Sequence, residues 1–125
     1  MKLSTLLAIN AVLAAAFGIA FVIVPNQIVS LYGPEPNAPL KYTEQLFGAA
    51  LIAFAVLSWS ARKATDSEAR RAIVLAIFIG DCISFIVALI GQLGNVVNAL
   101  GWSTVVIYLM LALAFGYFQF AKPAS

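Results

Sequence analysis

From Leu3 to Val24 the chain carries no charged residue, and from Ala72 to Ala121 it carries only Asp81. An α-helix needs about 20 predominantly apolar residues to cross the hydrocarbon core of a bilayer, and these stretches supply them. Of the 125 residues 63% are hydrophobic and 10% charged, which is more apolar surface than a water-soluble fold can hide. The sequence therefore predicts an all-α, integral membrane four-helix bundle formed by a single domain, residues 1–125.

Punctuation divides the chain into four spans. The first, about 3–24, ends at Pro25. Lys2 ahead of an apolar run containing Ala14-Ala15-Ala16 also suits a secretory signal peptide, but the run outlasts the ~7–15 residues of a signal core, so an uncleaved span is expected. Residues 26–33 are too few to cross and mix polar with apolar side chains, which places them at the interface. Pro34, Pro36 and Pro39 favour a stiff, extended turn over a helix, so the sequence predicts an external loop over 25–43. The second span, about 44–61, closes with Trp59 and the Arg62-Lys63 pair.

In the following loop, 62–69, Thr65-Asp66-Ser67-Glu68 reads as a capping box, with Thr65 accepting from a first-turn amide and Glu68 reaching back. The third span, about 70–91, and the fourth, about 102–121, flank a polar break at 92–101. Trp102 opens the last span and Tyr117, Phe118 and Phe120 close it, as aromatic belts do. Residues 26–33 and 95–101 share a pattern of interfacial stretch closed by glycine, which a duplicated hairpin would produce.

Basic residues set the orientation. Lys2, Arg62, Lys63, Arg70, Arg71 and Lys122 fall on one side and Lys41 on the other. The excess marks the cytoplasmic face, so both termini and the 62–69 loop are expected inside, N-in/C-in, in a cell (inner) membrane.

Counting excludes most enzyme chemistries. There is no histidine, and the one cysteine, Cys82, lies in an apolar run, so the sequence assigns no disulfide, no metal site, no histidine-held haem, no Ser-His-Asp triad and no cysteine redox pair. No catalytic residue and no cofactor is expected. With a net charge of +2 and no basic stripe, nucleic acid is not an expected partner either.

Two features remain. Ala72, Ala76, Gly80, Ser84 and Ala88 recur every four positions along the third span, a small-residue stripe of the kind that lets another helix approach closely in lipid. Ala14 with Gly18 and Ala112 with Gly116 repeat the spacing in the first and fourth spans. The second feature is Asp81, about nine positions into its span and therefore, at ~1.5 Å per residue, near the bilayer midplane. A carboxylate there is costly, so it must face the interior and be paired, hydrated or protonated. Asn10, at similar depth in the first span, is the expected hydrogen-bond donor to it. Glu44 and Gln45, near Tyr42, form either the mouth of a cavity or interfacial caps.

These features support two readings. The first is a non-enzymatic helix-packing component of a homo-oligomer or larger membrane complex, embedded in the lipid bilayer. The second is a small-solute, proton-handling or lipophilic-ligand-binding protein that uses Asp81. The order of apolar helix, Pro25, Tyr32-Gly33, Glu44 and Leu46-Phe47-Gly48-Ala49-Ala50 resembles the small bacterial four-helix membrane proteins grouped as DoxX-like and related uncharacterised families. The resemblance implies the fold and a prokaryotic inner-membrane location, and it transfers no active site.

Overall fold

The computed structural model describes residues 1–121, which fold as α1 (Leu3–Ile23), α2 (Pro25–Leu31), α3 (Ala38–Ala61), α4 (Glu68–Leu93) and α5 (Gly101–Gly116), the last continuing into a π-helical turn, Tyr117–Ala121. No strand occurs among the described residues. Four helices, counting α5 together with its π-helical extension, are long and apolar enough to cross a membrane. Lys122, one of the six basic residues used for orientation, lies outside the described residues.

One proline both ends α1 and begins α2. Pro25 pushes the residue before it out of the α region, and Val24 sits at φ −128°, ψ 54°. The ring then occupies the first turn of α2, where no amide hydrogen is needed. The stretch expected at the interface thus contains a seven-residue helix.

The expected loop over 25–43 needs correction, because α3 starts at Ala38. Asn37 caps that helix, its Oδ1 accepting from the Leu40 amide at 2.9 Å, and Pro39 sits in the first turn, where it breaks no hydrogen bond. Glu44 therefore lies inside a helix, with the extended turn confined to 33–37. The start of α4 is also corrected. Ser67, not Thr65, is the cap, its Oγ accepting from the Arg70 amide at 3.2 Å, while Asp66 pairs with Arg71 at 2.9 Å.

The long helices pack as two antiparallel pairs, α1 with α3 and α4 with α5, which barely touch each other. Gly18 and Gly48 bring the first pair together: a Cβ on Gly18 would lie 2.8 Å from the Gly48 carbonyl oxygen, and one on Gly48 2.7 Å from that of Gly18. Phe21 and Phe47 meet beside this contact, tilted at 42° with ring centroids 5.5 Å apart, and Gln45 Nε2 donates to the Val22 carbonyl at 3.1 Å. In the second pair Phe78 of α4 lies over Gly116 and meets Phe120 edge-on at 5.3 Å.

The small-residue stripe of α4 is not the seam between helices of this chain. Ala72, Ala76 and Gly80 are exposed, Ser84 and Ala88 half-buried, and nothing stands within 4 Å of where a Gly80 Cβ would be.

The pairs converge at the end that carries Arg62 and Arg71, where Leu6, Leu7, Ala61, Val74, Ile77 and Phe115 form a buried cluster drawn from all four long helices. Arg62 covers Trp59 there, 3.7 Å above its ring. At the opposite, loop end the closure is polar. Asn98 donates its backbone amide to the Tyr32 carbonyl at 2.7 Å and its side-chain amide to the Leu31 carbonyl at 2.9 Å, while Gln92 Nε2 donates to the Asn98 carbonyl at 3.1 Å. The two loop-end connections differ, the first holding α2 and the second a series of turns with Asn95 at φ 59°.

A candidate ligand cavity between two helix pairs

Two tight pairs joined at both ends leave space between them. The space is a cavity of about 520 Å³, lined by α1, α3, α4, α5 and both loop-end connections. Phe17 and Phe21 of α1 and Phe47 and Phe54 of α3 give it aromatic walls. The stripe residues Ala76, Gly80, Ser84 and Ala88 line it from α4, so their small side chains make room within the bundle.

Asp81 is 8% exposed, lines the cavity, and has an Oδ2 with no hydrogen-bond partner. An orphaned buried acceptor costs about 1–3 kcal/mol. Asn10, also 8% exposed, lines the same cavity but is not the partner expected for Asp81: its Nδ2 donates to Ser58 Oγ at 2.9 Å. The reason lies in the pairing of helices. Ser58, fully buried on α3, is on the helix that α1 packs against, whereas Asp81 belongs to the other pair. Glu44 lies half-buried on the cavity wall toward the loop end.

Sequence reasoning misses three hydroxyls. Tyr108 of α5 lines the cavity within hydrogen-bonding reach of Ser84 and in the electrostatic field of Asp81 and Tyr32. Thr104 donates to the Tyr32 hydroxyl at 3.2 Å, and both side chains reach the cavity. The signal that could find the first is the position of Tyr108 in the middle of an apolar run, away from the ends where belt tyrosines are expected.

The wall carries two carboxyl groups, Asp81 and Glu44, and no Lys or Arg lines the cavity among the described residues. The exposed helical lining residues belong to α3 and α4 alone, with Phe47 and Phe54 on one side and Ala76, Gly80 and Val87 on the other. The cavity therefore opens sideways, between α3 and α4. Chemically the site can hold an apolar body and accept hydrogen bonds from a polar group.

A family model described as Domain of unknown function (DUF8292) matches residues 1–118, which include all the α-helices and the cavity wall. No curated protein and no solved structure matches the chain.

Proposed function

The chain belongs to the DUF8292 family, and we propose that it is a multi-pass membrane protein that holds a small lipophilic ligand in the cavity around Asp81. The observation that carries this reading is the buried, partnerless Asp81 Oδ2 on the wall of a 520 Å³ apolar cavity. Small-molecule sites are of this kind, ~300–1,000 Å³, mostly apolar, with a few polar groups that fix orientation. An ionisable residue within a membrane-spanning helix also suggests function by its cost. The basic residues of 62–71 support a cytoplasmic position for that end of the bundle, in an inner membrane, with N-in/C-in topology; reporters inserted in 62–69 and near Asn37 check it. The competing reading, a subunit that packs against further copies, rests on the exposed Ala72, Ala76 and Gly80, part of the same face that borders the cavity mouth.

The protein in lipid nanodiscs, titrated with the neutral lipophilic fluorophore N-phenyl-1-naphthylamine, should show a saturable enhancement above that of empty discs. Ala88→Phe, which fills the cavity, should remove it. Leu113→Phe, at a site 66% exposed and away from the cavity, should not. Enhancement that is equal in empty and loaded discs, or unchanged by Ala88→Phe, sinks the reading.

A further inference from the structure

Resting on the ligand-cavity reading above, we propose that the ligand is a cationic amphiphile, an apolar tail bearing a protonated amine, which enters from the bilayer through the gap between α3 and α4. The chemistry of the wall selects the head group. Asp81 Oδ2 is buried without a donor, and the Asn10 amide, on the same cavity wall, donates to Ser58 and not to it. In its ionised form the carboxyl group only accepts, and a donating cation is the partner that keeps it ionised; an ammonium brings up to three donors and the opposite charge, an alcohol one donor and none. An anionic head would find two carboxyl groups, Asp81 and Glu44, and no basic side chain on the cavity wall among the described residues.

The two carboxylates also lie at different depths. At ~1.5 Å per residue, Glu44 is about 9 Å from the start of α3 and Asp81 about 18 Å from the far end of α4, both measured from the loop end. A cation entering near Glu44 therefore has a second acidic position further in. Phe47 and Phe54 line the same route, and aromatic rings attract cations as well as apolar tails.

The route is lateral because Asn98 ties the two loop-end connections together and the buried core fills the Arg62 end. Between α3 and α4 the small Gly80 faces open space, with no atom within 4 Å of the position a Cβ would take. A tail diffusing in the bilayer meets this gap without crossing water.

The test uses the whole protein in phosphatidylcholine nanodiscs, titrated calorimetrically with dodecylamine, dodecanol and dodecanoate, with empty discs subtracted. Dodecylamine should bind tighter than dodecanol by about tenfold or more, the value of a hydrogen bond to a charged group, and dodecanoate should bind weakest. Asp81→Asn should erase the amine preference while leaving dodecanol binding in place, and Asp81→Glu should restore part of the preference. Equal affinity for amine and alcohol, or a preference that survives Asp81→Asn, overturns the cationic class and leaves the cavity reading standing. Saturable binding of none of the three overturns both. For the route, Gly80→Phe should slow dodecylamine association by about tenfold, as steric closure of an entry does. An association rate that responds to Asn98→Ala and not to Gly80→Phe overturns lateral entry.

Discussion

The α1–α3 interface and the α3–α4 gap are built from similar residues and behave in opposite ways. At the interface, Gly18 and Gly48 let two backbones meet so closely that neither tolerates a Cβ, and the buried Asn10 finds Ser58 at 2.9 Å. Across the gap, Gly80 faces nothing within 4 Å and the buried Asp81 keeps an oxygen without a partner. Small residues in a membrane helix thus permit approach but do not enforce it. Where a second backbone comes close they make a seam, and where it does not they leave a wall of low relief around a cavity.

The largest expected effect separates these two glycines directly. Gly18→Leu forces a branched side chain against the Gly48 carbonyl and Ile52, with backbone on the opposing side that cannot move aside without splitting the pair. Overpacking of this kind costs about 1–3 kcal/mol, occasionally more, so the variant should unfold at clearly lower denaturant in detergent micelles. Gly80→Leu should stay within about 0.5 kcal/mol of wild type, as a substitution into open space does. Equal destabilisation by the two changes would break the comparison and show that α4 packs through its stripe against another copy.

The division into helices is legible in the sequence because it depends on local features: charge-free runs, Pro25 as a stop, and basic pairs at the ends. The boundaries that differ do so for equally local reasons. Pro39 reads as a helix breaker by its type, although in a first turn capped by Asn37 it is a helix former. Thr65 and Ser67 both suit a cap by residue type, and only the hydrogen bond to the Arg70 amide distinguishes them. The place of Asp81 on an interior wall follows from the cost of a carboxyl group in an apolar run. Its lack of a partner does not, since that depends on which helices pair. Asn10 and Asp81 sit at similar depth, but depth carries no information about azimuth, and α1 turns Asn10 toward α3. Tyr108 stays hidden for a related reason: the belt rule for tyrosines is a rule about depth, whereas the significance of this one comes from the neighbouring Ser84 and Asp81.

A smaller effect contrasts the two buried polar residues. Asn10→Leu leaves the fully buried Ser58 hydroxyl without its donor and should destabilise by about 1 kcal/mol, the usual cost of stranding one buried polar group. Asp81→Leu removes an orphan and strands nothing that bonds to it, so it should be neutral or stabilising. Paired unfolding curves in the same detergent read the signs. Destabilisation by Asp81→Leu as large as that by Asn10→Leu would mean that Asp81 has a structural partner within the bundle.

The smallest expected effect is a coupling, and it tests the pairing itself. In a double-mutant cycle, Asn10→Ala with Ser58→Ala should give an interaction energy near ~0.6 kcal/mol, the average for interhelical hydrogen bonds in membranes. The cycle of Asn10→Ala with Asp81→Ala should give nearly none, although both residues line the same cavity. Alanine suits both cycles because it removes the polar group without adding bulk to the cavity. The comparison is also insensitive to the general cost of each truncation, since that cost cancels in the cycle and only the contact remains. A coupling of Asn10 to Asp81 equal to that with Ser58 would place the Asn10 amide between the two acceptors, and Asp81 would then lose the open acceptor on which selection of a cationic head group depends.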